Sequence, residues 1–230
     1  MLEINVCHSV VPVVGMNESL EIRHFLGTGF FCGEDRPYLV TSKHVLRKWT
    51  RQHGIAILHK GDVSAKLANI LVESHYLDLA VLEVPGYEPP FVFPLGTGKI
   101  VFNEQIQSFE YGPTRTIAGR IHYSSATRIG NVTRCLDIAE GLSDAGHDSL
   151  EVSFPALDGA SGSPILCPSQ GFAVWGVVKA NIGHHLLPAQ IERVYGGDGM
   201  LIEETKFMLP QALAINVRHL NNLIDSLPKN

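Results

Sequence analysis

Apolar residues recur along this chain in short runs rich in Val, Ile, Leu and Phe, and clusters of Gly, Pro, Asn and Asp separate them. Runs of that length between turn residues predict β-strands, and their close succession argues for a sandwich or barrel rather than alternating strand and helix units. Strands are predicted over residues 9–14, 27–32, 38–41, 54–59, 64–72, 79–83, 105–110, 114–123, 150–153, 164–166, 173–179 and 211–215. The stretch 87–98 holds Pro89, Pro90, Pro94 and two glycines, suits neither helix nor central strand, and is the expected connector between two halves. Near the end, Val217, Leu220, Leu223, Ile224 and Leu227 recur at helical spacing behind Asn216, an N-cap residue type, so one closing amphipathic helix is predicted. The segment 183–207 has no clear periodicity and is expected to contain a long loop.

Composition agrees with a compact, turn-rich globule: 45% of the 230 residues are hydrophobic and 18% charged, with 22 Gly and 13 Pro. A formal net charge of −5 removes the basic footprint on which general nucleic-acid binding depends, so no nucleic-acid partner is expected. No apolar run approaches the length of a membrane helix, and the first residues lack the cationic and apolar segments of a secretory leader. Cys7, Cys32, Cys135 and Cys167 are widely spaced without a CxxC pair, and four cysteines allow three pairings. With no leader, reduced thiols and a cytoplasmic location are expected. His184-His185 and the scattered His and Cys have no metal-ligand spacing, and Gly96-Thr-Gly-Lys99 lacks the upstream glycine of a phosphate loop. Neither metal nor cofactor is therefore expected.

Three segments carry candidate chemistry. Asp158-Gly-Ala-Ser-Gly-Ser-Pro-Ile-Leu166 sets Ser161 between glycines that let the backbone turn tightly and direct its N–H groups outward. Leu39-Val-Thr-Ser-Lys-His-Val-Leu46 puts His44 directly after a strand, and Tyr76-Leu-Asp-Leu-Ala-Val-Leu82 puts Asp78 at the head of an apolar one. A serine hydroxyl needs a base to attack at neutral pH, an imidazole can take and return the proton, and a carboxylate can orient the imidazole.

With Gly27-Thr-Gly-Phe-Phe31 upstream, these segments follow the order GTGF, T-x-x-H-V, D-L-A-V and G-x-S-G-S-P, and here the chain resembles the trypsin-like peptidase family. Within it the likeness is to compact bacterial-type members related to the HtrA proteases. It runs from about residue 9 to residue 181 and implies an all-β, chymotrypsin-like fold of two six-stranded Greek-key β-barrels with a C-terminal helix. A single domain over 1–230 is expected, with His44 and Asp78 on an N-terminal barrel (1–95) and Ser161 on a C-terminal barrel (96–230) that ends in the helix. The resemblance further implies a serine endopeptidase acting through an acyl-enzyme: Ser161 the nucleophile, His44 general base and then acid, Asp78 orienter, and the amides of Gly159 and Ser161 an oxyanion hole. It also implies a polypeptide substrate bound along Lys179, Ala180 and Asn181, with Pro155 at the base of the primary specificity pocket, where it supplies no charge to attract Lys or Arg.

Several positions depart from the family pattern. Lys43 stands before the histidine, where small residues are usual, and is expected to face solvent. Val45 follows His44, so Cys32 lacks the disulfide partner found in many secreted relatives. Ala160 replaces the aspartate with which zymogen-type relatives bind a newly cut N-terminus. The oxyanion loop is thus expected either to be formed by local packing, the favoured alternative, or to be collapsed until a partner orders it. The rival to an active peptidase is a peptide-binding module of the same fold, or a conditionally inactive protease awaiting a regulatory protein partner.

Overall fold

Val10–Met16 carries no charge and is buried at every position, which a strand achieves only when both of its faces are covered. This strand, β1, supplies alternate residues to two different cores. Val11 and Val13 pack with Phe31, Leu39 and Leu82 inside one barrel, whereas Val10 packs with Phe30, Val40 and Val81 in a cluster that continues into the second half of the chain. Successive side chains of a strand point to opposite faces, so these strands look like continuous apolar runs rather than alternating ones.

A computed structural model of the protein describes residues 6–47, 49, 54–58, 65–117, 120–136, 148–185, 190–196, 199–205 and 208–228. β1 is followed by β2 (Ile22–Cys32), β3 (Tyr38–Thr41), the short helix α1 (Lys43–Arg47), β4 (Ile55–Ile57), β5 (Lys66–Glu73) and β6 (Ala80–Glu83). The strands close into an antiparallel barrel in the order β1-β2-β3-β6-β5-β4. β7 (Gln105–Ile117), β8 (Arg120–Leu136), β9 (Ser149–Val152), β10 (Pro164–Cys167), β11 (Ala173–His185) and β14 (Met208–Asn216) close a second barrel in the order β10-β11-β14-β9-β8-β7. The expectation of two six-stranded barrels is met. The connector 87–98 forms no strand but makes one bridge to each barrel, Phe93 to Cys32 and Leu95 to Val174. The closing helix α2 (Val217–Asp225) starts where predicted, and the Asn216 side chain accepts the amide of Arg218.

Two expectations are corrected. The segment 183–207 is not a long loop: β11 runs on to His185, and β12 (Gln190–Gly196) pairs with β13 (Gly199–Thr205) in a separate two-stranded sheet. Paired backbone groups hold that hairpin, so it needs no hydrophobic alternation to announce it. The strands expected at 105–110 and 114–123 are instead β7 and the start of β8, which form one long hairpin with an irregularity between Pro113 and Arg115. His44 lies on α1, one turn of helix too short to leave a periodic signature.

The barrels meet along a seam where two glycines have no room for a side chain. Gly162, at φ +88, faces the Thr28 carbonyl, the Thr41 hydroxyl and the Ser42 amide so closely that a Cβ would collide with the first two. A Cβ on Gly27 would stand 2.8 Å from a Val45 methyl and 3.0 Å from the Ser161 carbonyl oxygen. The Ser42 hydroxyl bridges the barrels by donating to the Val178 carbonyl at 2.9 Å. Gly162→Ala combines a positive φ with a backbone collision, and a loss of more than about 3 kcal/mol in unfolding free energy is expected. Urea denaturation checks this, and a loss below about 1 kcal/mol would show that the seam can open to admit a methyl group.

Candidate active site

β3 ends at Thr41, and the chain turns at once into α1, whose Val45 and Leu46 are buried and leave His44 half-exposed. Across from it, a tight loop leads into β6: the Leu77 amide donates to the Ser74 hydroxyl at 3.1 Å and the Ser74 amide to the Leu79 carbonyl at 3.0 Å. This loop delivers Asp78 to His44. One carboxylate oxygen accepts the His44 amide at 2.7 Å, and the other lies 2.5 Å from Nδ1 of the ring. In the neutral ring a carboxylate at this position selects the tautomer with the proton on Nδ1, whose Nε2 then carries the lone pair. Asp78 is 14% exposed at its side chain. That burial resists ionisation, but the two His44 hydrogen bonds and the attraction of His44 and Lys179 outweigh it and hold the carboxyl below the ordinary range.

Lys43 does not face solvent as expected. It is half-buried, its amide donates to the Asp78 carbonyl at 3.2 Å, and its ammonium group donates to the Ser74 carbonyl, bracing α1 against the Asp78 loop.

Ser161 reaches the site from the other barrel. Its carbonyl accepts the Thr28 amide at 3.0 Å, which docks the turn onto β2. In this turn the amides of Ala160, Gly162 and Ser163 donate to Leu157, Val178 and Ala160 carbonyls, each at 2.9 Å. The amides of Gly159 and Ser161 have no acceptor among the described residues. The Ala160 carbonyl is taken by Ser163 and so does not turn into the space those two amides would serve. Two uncommitted donors beside a serine hydroxyl are the equipment needed to stabilise a developing oxyanion. The Ser161 hydroxyl itself donates to the Lys179 carbonyl at 3.5 Å. Among the described residues it makes no hydrogen bond to the His44 ring.

Lys179, Ala180 and Asn181 lie on β11 just past Val177, where its ladder with β10 ends. Val178 pairs with Ala214 and Ala180 with Leu213, so Lys179 is the extra residue of a β-bulge, the feature that swings its carbonyl toward Ser161. Asn181 forms a two-point clamp: its amide group donates to the Ala156 carbonyl and its oxygen accepts the Ala156 amide, both at 2.7 Å. Pro155, beside that clamp, is half-buried, and its neighbour Phe154 is held through its carbonyl by the Ala212 amide at 2.8 Å. Three buried hydroxyl residues of the seam, Thr28, Thr41 and Ser42, were not singled out by their sequence context. A hydroxyl in a fully covered strand needs a partner, and that was the available signal.

None of the four cysteines is in a disulfide. Among the described residues, no helix is long and apolar enough to cross a membrane.

A family profile described as "Trypsin-like peptidase domain" matches residues 27–176, more than half of the chain. No curated protein matches in sequence. Among solved structures, the Rv3671c protease from M. tuberculosis in its active form superposes with a TM-score of 0.65 at 14% identity, over 100% of this chain and 85% of that one. The MamO protease domain from Magnetospirillum magneticum, in its apo form, gives 0.60 at 16% identity over 98% of both chains. The HtrA-type protease AlgW with a tripeptide gives 0.63 at 15% identity, over 98% of this chain, which spans 62% of the length of AlgW. At such identities the superpositions establish the fold.

The depressed Asp78 value has a defined sign for stability. A carboxyl bound as the anion in the folded protein stabilises it fully above the ordinary value of 3.8, and that contribution disappears as pH falls through the lower folded value. Unfolding free energy is therefore expected to fall between about pH 5 and pH 2, with a shallower fall in Asp78→Asn. Parallel pH profiles for the two proteins in urea denaturation would refute the assignment.

Proposed function

Because the chain belongs to the trypsin-like peptidase domain family, we propose that it is a serine endopeptidase, with Ser161 as nucleophile, His44 as base and then acid, and Asp78 as orienter. The observation that carries this reading is the His44–Asp78 pair, whose 2.5 Å contact leaves one ring nitrogen free to accept a proton. In the proposed reaction the Ser161 hydroxyl leaves the Lys179 carbonyl and turns toward His44. Nε2 takes its proton as Oγ bonds to the substrate carbonyl carbon, and the carbonyl π electrons move onto oxygen. The amides of Gly159 and Ser161 donate to that oxyanion. The imidazolium, stabilised by Asp78, then protonates the departing amine as the C–N bond breaks, leaving an acyl-enzyme. Water, deprotonated by His44, attacks the ester carbonyl; as that second intermediate collapses, the C–Oγ bond breaks, the imidazolium returns the proton to Ser161 and the peptide acid leaves.

The substrate is an extended polypeptide that adds to the β11 edge at Lys179, Ala180 and Asn181 through main-chain hydrogen bonds. Since the Asn181 side chain is held by Ala156, this residue meets substrate through its backbone, and the clamp limits the width between strand and loop. With Pro155 uncharged beside it, a small or apolar side chain fits better than Lys or Arg. The four thiols support a reducing compartment such as the cytoplasm. One observation favours a second reading, a protease that a regulatory protein partner must switch on: the Ser161 hydroxyl rests on Lys179 rather than on His44.

Labelling by a fluorophosphonate followed by mass spectrometry tests the assignment. Ser161 is expected to carry the label, Ser161→Ala to carry none, and both Ser161→Ala and His44→Ala to lose about 10⁴-fold or more in kcat/KM while keeping the parent's melting behaviour. Cleavage by Ser161→Ala at the parental rate would remove the nucleophile assignment. Labelling that requires an added protein extract would select the switched protease.

A further inference from the structure

Thr28 sits in the first barrel with no exposed surface, and all its polar groups are engaged at the loop that bears Ser161 or beside it. Its amide donates to the Ser161 carbonyl at 3.0 Å. Its carbonyl accepts the Thr41 hydroxyl at 2.7 Å. Its hydroxyl donates to the Gly159 carbonyl at 2.7 Å while accepting the Tyr111 amide at 3.0 Å. The Tyr111 amide thereby directs the hydroxyl proton, since an oxygen that accepts from one side is left to donate on the other.

A peptide unit is planar, so a bond to its oxygen fixes the direction of its N–H as well. The 159–160 peptide is gripped at both ends, through its oxygen by Thr28 and through its N–H by the Leu157 carbonyl at 2.9 Å. The two uncommitted amides, those of Gly159 and Ser161, flank this unit on either side. Gly159 has φ +92, and a glycine turns between alternative peptide orientations with little steric penalty, so the backbone at this point does not hold itself. The next side chain, Ala160, is buried and apolar and gives the loop no polar anchor.

We propose that the Thr28 hydroxyl is a positioning residue that holds the oxyanion loop in its productive form, so that the N-terminal barrel sets the geometry of a hole built by the C-terminal one. This rests on the serine-peptidase reading for its kinetic consequence. The hydroxyl is the operative group: serine can replace threonine, whereas valine, nearly the same shape, cannot.

The test uses the full chain and hydrolysis of a peptide p-nitrophenyl ester, with crystal structures of the parent and Thr28→Val. Thr28→Val is expected to lower kcat about ten- to hundredfold with KM changed less than about threefold, because the loss falls on the transition state. Thr28→Ser is expected to stay within about threefold of the parent in kcat. In the Thr28→Val crystal the Gly159 carbonyl is expected to have turned from its parental direction. Unchanged kcat in Thr28→Val, an equal loss in Thr28→Ser, or an unmoved Gly159 carbonyl would each overturn the proposal. If Thr28→Val fails to fold, Thr28→Ala is judged by the same measurements. A parent that neither turns over the ester nor reacts with a fluorophosphonate, alone or with an added protein extract, removes the peptidase reading, and the direction of the Gly159 carbonyl then decides the role of Thr28 alone.

Discussion

The contact on which the rest of this structure depends is the seam between the barrels, where two glycines leave no room for a further side chain. Gly162 and Gly27 let backbone approach backbone, and the Thr28 amide and the Ser42 hydroxyl fasten the two sides. A methyl group at Gly162 would push the Ser161 turn off β2. The candidate site is split across this seam, with His44 and Asp78 on one side and Ser161, Lys179 and Asn181 on the other. Closeness here is therefore a condition for chemistry as well as for packing.

On the first side the constraint is electrostatic. A carboxyl buried to the extent of Asp78 is costly to ionise unless donors meet it. The His44 ring and amide supply two such donors, and the Ser74 to Leu79 loop holds the oxygens at the angles those donors need. Lys43 ties that loop to the helix carrying the histidine. The pair is thus pre-formed without any contribution from Ser161.

Most of the barrel architecture was legible because β1, β3, β2 from Leu26 onward and β6 up to Leu82 are buried on both faces and so leave apolar runs between turns. The Asn216 cap and the spacing of Val217, Leu220 and Leu227 made the closing helix equally plain. His44, Asp78 and Ser161 stood out because each sits at the end or head of such a run, within a recognisable order of motifs. What stayed hidden depends on partners distant in sequence. The β12–β13 hairpin is made by cross-strand pairing around Gly196 and Gly199, and no periodic pattern marks it. The direction of Lys43 depends on where the Ser74 carbonyl lies, and the engagement of the Thr28 hydroxyl on Gly159 spans 131 residues.

The bulge at Lys179 has a further consequence, which concerns parity. On β11 up to Val178 the paired residue numbers follow one register with β14, and from Ala180 onward they follow a register offset by one. Odd and even positions therefore exchange faces at Lys179; Ala173 to Val178 before the bulge are all buried, whereas Ala180 and Asn181 after it are exposed. Because faces alternate with a period of two, a one-residue insertion or deletion between 177 and 181 would restore a single phase along the strand. The phase of this strand is carried by one residue.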